Sequence, residues 1–274
     1  MTIAQTGKIC YAVVRLHGAS AAPTASRMRP SVRGKEVCGM KRQRKKIGLS
    51  ELIGRILFVS LALSVVFSVI RLIQAPVALE EGEPFQKVKS DYMLMVLQCT
   101  LGLVVMLLPS AISRRWNLSI PNFIYVLYYV FLYCAVFLGE VFSFYYLVPH
   151  WDTILHTFSG TMLGALGFIL VDLLNRAENV RVSLSPLFVS LFAFCFALAS
   201  GAVWEIYEYT CDCLMGLNMQ KYATEQGVQL IGQAALRDTM KDIIFDALAA
   251  LAVSVAGYFS GIRKRRAGSA EPAG

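Results

Sequence analysis

Charge is scarce in this sequence. Asp, Glu, Lys and Arg make up 16% of its 274 residues, where a soluble domain carries about 25%. With 56% hydrophobic residues and a mean hydropathy of +0.56, the shortfall excludes an ordinary water-soluble globule. Paired cysteines are missing too. The seven cysteines are scattered, and Cys99, Cys134 and Cys195 lie inside apolar runs, where a thiol packs as a small hydrophobe. That leaves no disulfide framework. Cys211 and Cys213 form the one close pair, and without a second pair they make no zinc motif. The chain has no Ser-His-Asp order, phosphate loop or nucleotide fingerprint. Its net charge of +8 comes without aromatic-basic interleaving or a nucleic-acid motif, so no nucleic acid is expected.

What the chain has is apolar length. Several runs approach 20 residues, enough to cross a bilayer as helix. We expect an all-α integral membrane protein of six transmembrane helices, at about 52–73, 92–108, 123–148, 153–174, 187–210 and 239–262, together forming one domain over 52–262. Ser60, Ser64 and Ser68 recur every four residues in the first span, a stripe suited to helix packing. Residues 1–39 are weakly patterned and read as a disordered extension, or as sequence ahead of the true start at Met40. A basic segment, 40–51, leads into the first span, a mixed loop, 213–237, separates the last two, and a basic tail, 263–274, follows.

The flanking charges set the expected orientation. Nineteen of the 26 Lys and Arg residues fall on the side of the two termini. The other side has Lys87, Lys89, Lys221, Arg237 and Lys241, and Arg55 and Arg71 stand near the two ends of the first span. Both termini are therefore expected to be cytoplasmic. Thirteen of the 18 acidic residues lie on or near the opposite face.

Those acids fall on helical spacings. Glu205, Glu208 and Asp212 stand at i, i+3 and i+7, on one helix face. Asp152 and His156 are four apart at the head of the fourth span, and Asp238, Asp242 and Asp246 repeat every four at the head of the sixth. Asp152 and Asp238 also suit helix-capping positions. Asp212 reads equally well as solvated. Capping does not account for His156, Glu205 or Asp246, which lie well inside their spans, and ionisable groups at that depth are expensive. A purely structural polar cluster, with a protonated His156 paired to a carboxylate, competes with any functional reading. Either Lys241 and Arg237 are drawn in to balance the acids, or some acids stay protonated, or a cation binds.

The stretches WDTILHTFSGTMLGALGF, GAVWEIYEYTCD, GLNMQ and DTMKDIIFDALAAL, in that order, resemble the YjdF-type family of bacterial inner-membrane proteins over about residues 50–262. The Asp-x3-His helix, the carboxylate-bearing helix and the final Asp-x3-Asp helix more loosely resemble the VanZ-like family, which is linked to glycopeptide-antibiotic resistance. In place of that family's Glu and Gln, this chain has Glu205 and Glu208. The resemblance implies a multi-pass protein of the bacterial inner membrane and supplies no known reaction.

Three functions fit these residues. The first is an outward-facing, envelope-side enzyme or binding site that acts on a phosphate-bearing lipid or cell-wall precursor. In it His156, Glu205 and Asp246 are the catalytic candidates, and Asp152, Glu208 and Asp242 the substrate-binding ones. A divalent metal ion held by His156, Glu205, Glu208, Asp242 and Asp246 is its expected cofactor. The second is a proton- or cation-coupled transporter. The third is a scaffold in which the cluster fixes helix register. The first is preferred, because the inner halves of these spans are almost purely apolar and offer no continuous polar path.

Overall fold

The structure, a computed structural model, describes residues 48–77, 87–116, 120–177, 184–224 and 228–269. The expected extension 1–39, residues 40–47 of the basic segment and residues 270–274 of the basic tail lie outside the described residues.

Six helical stretches are long and apolar enough to cross a membrane. Helix α1, Leu49–Gln74, is the first. Its Ser64 and Ser68 hydroxyls donate to the carbonyls of Ser60 and Ser64 at 2.8 and 2.6 Å, so the serine stripe is satisfied within its own helix. The second span comprises α2, Lys89–Val105, and α3, Leu108–Arg115. The break at 106–107 precedes Pro109, which has no N–H to continue the ladder and sits in the first turn of α3.

The third span is α4, Asn122–Leu132, continuing as a π-helical segment, Tyr133–Val141. Its wide turns end where Phe142 N–H reaches the Phe137 carbonyl at 3.2 Å. The expected single span 123–148 is thus divided. Ser143 turns the chain at φ +61, and a short helix α5, Phe144–Leu147, follows. His150, at φ +62, turns it again into α6, Trp151–Ala177.

Helix α7, Pro186–Met215, begins with Ser185 Oγ accepting the Phe188 N–H at 3.1 Å and Pro186 at its first position. It stops at Gly216, whose φ of +64 is the left-handed conformation that glycine adopts without penalty. Helix α8, Gln233–Ser269, is continuous. Among the described residues there is no β-sheet, only an isolated bridge between Ala223 and Gln229.

The spans form two sets of three. In one, α1, α2 and the α4–π span pack together, and in the other α6, α7 and α8 do. The sets meet chiefly where α6 touches α4, α5 and the π segment. The first set buries Leu57, Leu61, Tyr92, Met95, Cys99 and Val136, an apolar core. The second packs through small residues. A Cβ at Gly160 would stand 2.7 Å from the Asp246 carbonyl oxygen, and one at Gly167 would stand 2.6 Å from Ala193 Cα. Those distances bring the α6 backbone against α8 and α7. This tight contact carries the polar residues into the interior.

Candidate metal site

His156 lies just over one turn into α6, level with Asp242 and Asp246 on the buried face of α8. Its Nδ1 is 3.1 Å from Asp246 Oδ2, close enough for the ring to donate there. The Ser159 hydroxyl donates to the other oxygen of Asp246 at 3.0 Å and also lies 2.9 Å from the His156 carbonyl. The other ring nitrogen, Nε2, faces two more carboxylates, with Asp152 Oδ1 at 3.6 Å and Asp242 Oδ2 at 3.9 Å. Those separations are too long for hydrogen bonds. Asp242 Oδ1 is buried without a hydrogen-bond partner, with Lys241 Nζ 4.0 Å away.

One nitrogen and two carboxylate oxygens, from His156, Asp152 and Asp242, lie within 4.8 Å of one another. The donor set suits a divalent ion. Metal–ligand distances to nitrogen and carboxylate oxygen are about 2.0–2.2 Å, so a single ion can reach Nε2 and either carboxylate across 3.6 or 3.9 Å. Asp246 would hold the ring through Nδ1, as the outer carboxylate partner of a metal-bound histidine does.

The site is buried, and this corrects the outward-facing expectation. His156 is 8% exposed, Asp242 and Asp246 are 2% each and Glu205 is 5%. The reading of an open, envelope-facing site that acts on a phosphate-bearing lipid or cell-wall precursor does not hold. Helical spacing gives depth along a span but not what covers the helix ends. The start of the loop after α7 covers them. Asp212, for which solvation was one of the readings, is 7% exposed, and its two oxygens accept the N–H groups of Met219 and Gln220 at 2.8 and 3.0 Å. Leu217 is buried beside Cys211 and Leu94. Gln220 Nε2 donates to Thr239 Oγ1 at 2.9 Å, joining the loop to the first turns of α8.

Lys221 completes the cover. Its ammonium pairs with Asp152 and, at 3.1 Å, with Asp238 Oδ2. Burial alone would lower the pKa of this lysine, but the two carboxylates outweigh it and hold the group above its ordinary value. The sequence pointed to Lys241 and Arg237 as balancing cations. The structure sets Lys241 at 4.0 Å from Asp242 and adds Lys221, which stands at φ +48 in the loop.

The other predicted residues fall around this centre. A Cβ at Gly201 would meet Asp246 Oδ2 at 2.6 Å, so this face of α7 lies against the cluster. Glu205, one turn further along the same face, is buried with neither oxygen hydrogen-bonded. Glu208 Oε1 accepts from Trp204 Nε1 at 2.9 Å. Neither Glu205, Glu208 nor Asp246 belongs to the compact three-ligand group, whereas Asp152 does.

These features describe a multi-pass integral membrane protein with a buried His/Asp cluster able to coordinate a metal ion. The chain belongs to the family of predicted membrane proteins designated DUF2238, whose family model matches residues 53–263. It is similar to an uncharacterised protein of Thermotoga maritima, with 31% identity over 119 residues, 43% of this chain and 52% of the relative. The chain therefore spans about half the length of that curated relative. No solved structure gives a significant match. The family and relative fit a bacterial inner-membrane location, while the YjdF-type and VanZ-like resemblances rest on the motifs alone.

Proposed function

We propose that this protein binds a divalent cation inside its membrane domain, with Asp152, His156 and Asp242 as ligands and Asp246 orienting the imidazole. The observation that carries this reading is the geometry at His156 Nε2. It faces two carboxylates at 3.6 and 3.9 Å, too far for hydrogen bonds and close enough for a shared ion. Charge supports it. Lys221 offsets Asp152 and Asp238, leaving His156, with Lys241 at 4.0 Å from Asp242, to balance Asp242 and Asp246, with Glu205 beside them. Without further positive charge, burying these carboxylates is costly. An imidazole with two carboxylates suits a first-row ion such as Mn²⁺ or Zn²⁺ better than Ca²⁺, which prefers six or more oxygens.

The basic flanks put the two termini in the cytoplasm, so the loop that carries Lys221 lies on the opposite side. A single cysteine at Gln229, in a background without native cysteines, then labels with an impermeant thiol reagent on intact spheroplasts, while one at Arg114 labels only after permeabilisation.

A metal that binds the folded form stabilises it by mass action, by about 2.7 kcal/mol at a hundredfold excess over its dissociation constant. Chelation of the detergent-purified protein should lower its melting temperature, and Mn²⁺ or Zn²⁺ should restore it. A melt indifferent to chelator across neutral pH, but sensitive to pH, would mean that protons neutralise the cluster, and the metal reading would fall.

A further inference from the structure

A cavity of about 370 Å³ lies at the seam between the two helix sets. That is the size of a small-molecule site. Its wall is apolar over most of its length, with Leu101, Val105, Leu132, Val136, Leu155 and Leu163 among the lining residues. One end is polar, where Glu140, Tyr145, Asp152, Glu208 and Lys221 converge. Along α6, Asp152 and Leu163 are separated by about 17 Å of helix rise. The cavity therefore has the layout of an amphiphile, a long apolar body ending in a compact polar head.

The backbone around the polar end is unusual. Ser143, His150 and Lys221 are the non-glycine residues with positive φ among the described residues; Lys221 lines this end, and Ser143 and His150 each stand two residues before a lining residue, Tyr145 and Asp152. Such strained conformations persist only where the surrounding structure enforces them, and they gather at ligand sites. The π-helical turns that bring Ala135, Val136 and Glu140 to the wall belong to the same region.

The charges at the polar end decide the head group. Lys221 is committed to Asp152 and Asp238. Lys87 donates to the main-chain carbonyls of Glu140 and Val141, at 2.7 and 3.3 Å. Glu208 has its hydrogen bond from Trp204 but no ion pair among the described residues, and Glu140 likewise forms none. An anionic head would meet two glutamates, whereas an ammonium would be drawn to both. Tyr145 and Trp204 add aromatic faces, and the Lys221 ammonium already stands 5.9 Å from the centre of the Tyr145 ring.

We propose that this cavity binds a cationic amphiphile, an aliphatic chain carrying an amine head, with the head between Glu140 and Glu208 and the chain along the α2–α6 wall. The cavity shares Asp152 and His156 with the proposed metal site, but the head contacts Glu140 and Glu208, neither of which is one of the three proposed ligands.

The test uses the full chain in phosphatidylcholine nanodiscs, with Trp116→Phe and Trp151→Phe leaving Trp204 as the one tryptophan of the three. Dodecylamine brominated near mid-chain should quench Trp204 saturably. The alcohol and the carboxylate of the same chain should give only the linear quenching of bilayer partitioning. Filling the wall with Ala135→Phe should weaken the amine more than tenfold. Glu208→Gln leaves the wall unchanged and should weaken it about as much, so it carries the test if Ala135→Phe fails to fold. Linear quenching by the amine, equal saturation by the carboxylate or the alcohol, or amine affinity unchanged in Glu208→Gln would each overturn the proposal. Because none of these readouts uses a metal, their failure is separate from any failure of chelator sensitivity.

Discussion

The two helix sets solve the same problem with opposite interiors. Both must hold three helices together in lipid, where apolar burial between helices provides little drive because the surroundings are equally apolar. The first set does so with Leu57, Leu61, Met95 and Cys99, and its buried serines bond their own helix. The second set buries His156, Glu205, Asp242 and Asp246 between glycine-lined backbones. The first set shows that three helices of this chain associate without ionisable groups in the core. Helices of this chain thus cohere without buried acids, and the proposed metal ion would give the acids of the second set a use.

The sharpest way to break this contrast is to alter the acids. Asp246→Asn removes the charge behind the imidazole while keeping its size, and loss of such an outer partner weakens metal binding by about 10–100-fold. Titration of Mn²⁺ or Zn²⁺ followed by thermal melting measures this. An unchanged affinity would remove Asp246 from the orienting role. Glycine substitutions give the next largest effect. At Gly167 a methyl group would press on the α7 backbone, and overpacking of this kind costs about 1–3 kcal/mol. At Gly54, in the first set, the nearest obstacle is the ring of Tyr129 at 2.9 Å, a side chain that can shift. Gly167→Ala should thus lower the detergent melting temperature more than Gly54→Ala. Equal losses would show that the second set is no more closely packed.

The smallest effect is in pH. The Lys221 pKa is raised by folding, so the stability it contributes is complete below the ordinary lysine value of 10.5 and disappears as pH rises through the higher folded value. Between pH 6 and 9, the difference in melting temperature between wild type and Lys221→Gln should stay constant, and it should narrow only in more alkaline buffer. A difference that varies across neutral pH would mean that another group titrates with this pair.

Much of the architecture was legible because a bilayer imposes it. Six apolar runs near 20 residues leave little choice of element, and helical spacing alone placed His156, Asp242 and Asp246 on inward faces. Three features were not legible, for physical reasons. The closure of the site depends on the loop after α7, where Asp212 accepts two main-chain N–H groups and Lys221 spans two helices. Such contacts have no periodicity. The one available signal was that Lys221 is among five cations on its side of the membrane. The π-helical turns at Tyr133–Val141 carry no residue signature of their own. Asp152 was expected at the site as a substrate-binding residue, but its place at the start of α6 is equally that of a capping group, and only its 3.6 Å approach to His156 sets it among the possible metal ligands.

The account stands on a metal in the second helix set, and the most direct measurement is elemental analysis of the protein purified in mild detergent without added metal, with wild type and Asp242→Asn side by side. It predicts about one divalent transition ion per wild-type chain and a loss of most of that ion in Asp242→Asn. Wild-type protein that is folded, thermally stable and free of divalent metal, or equal metal in both proteins, would contradict it.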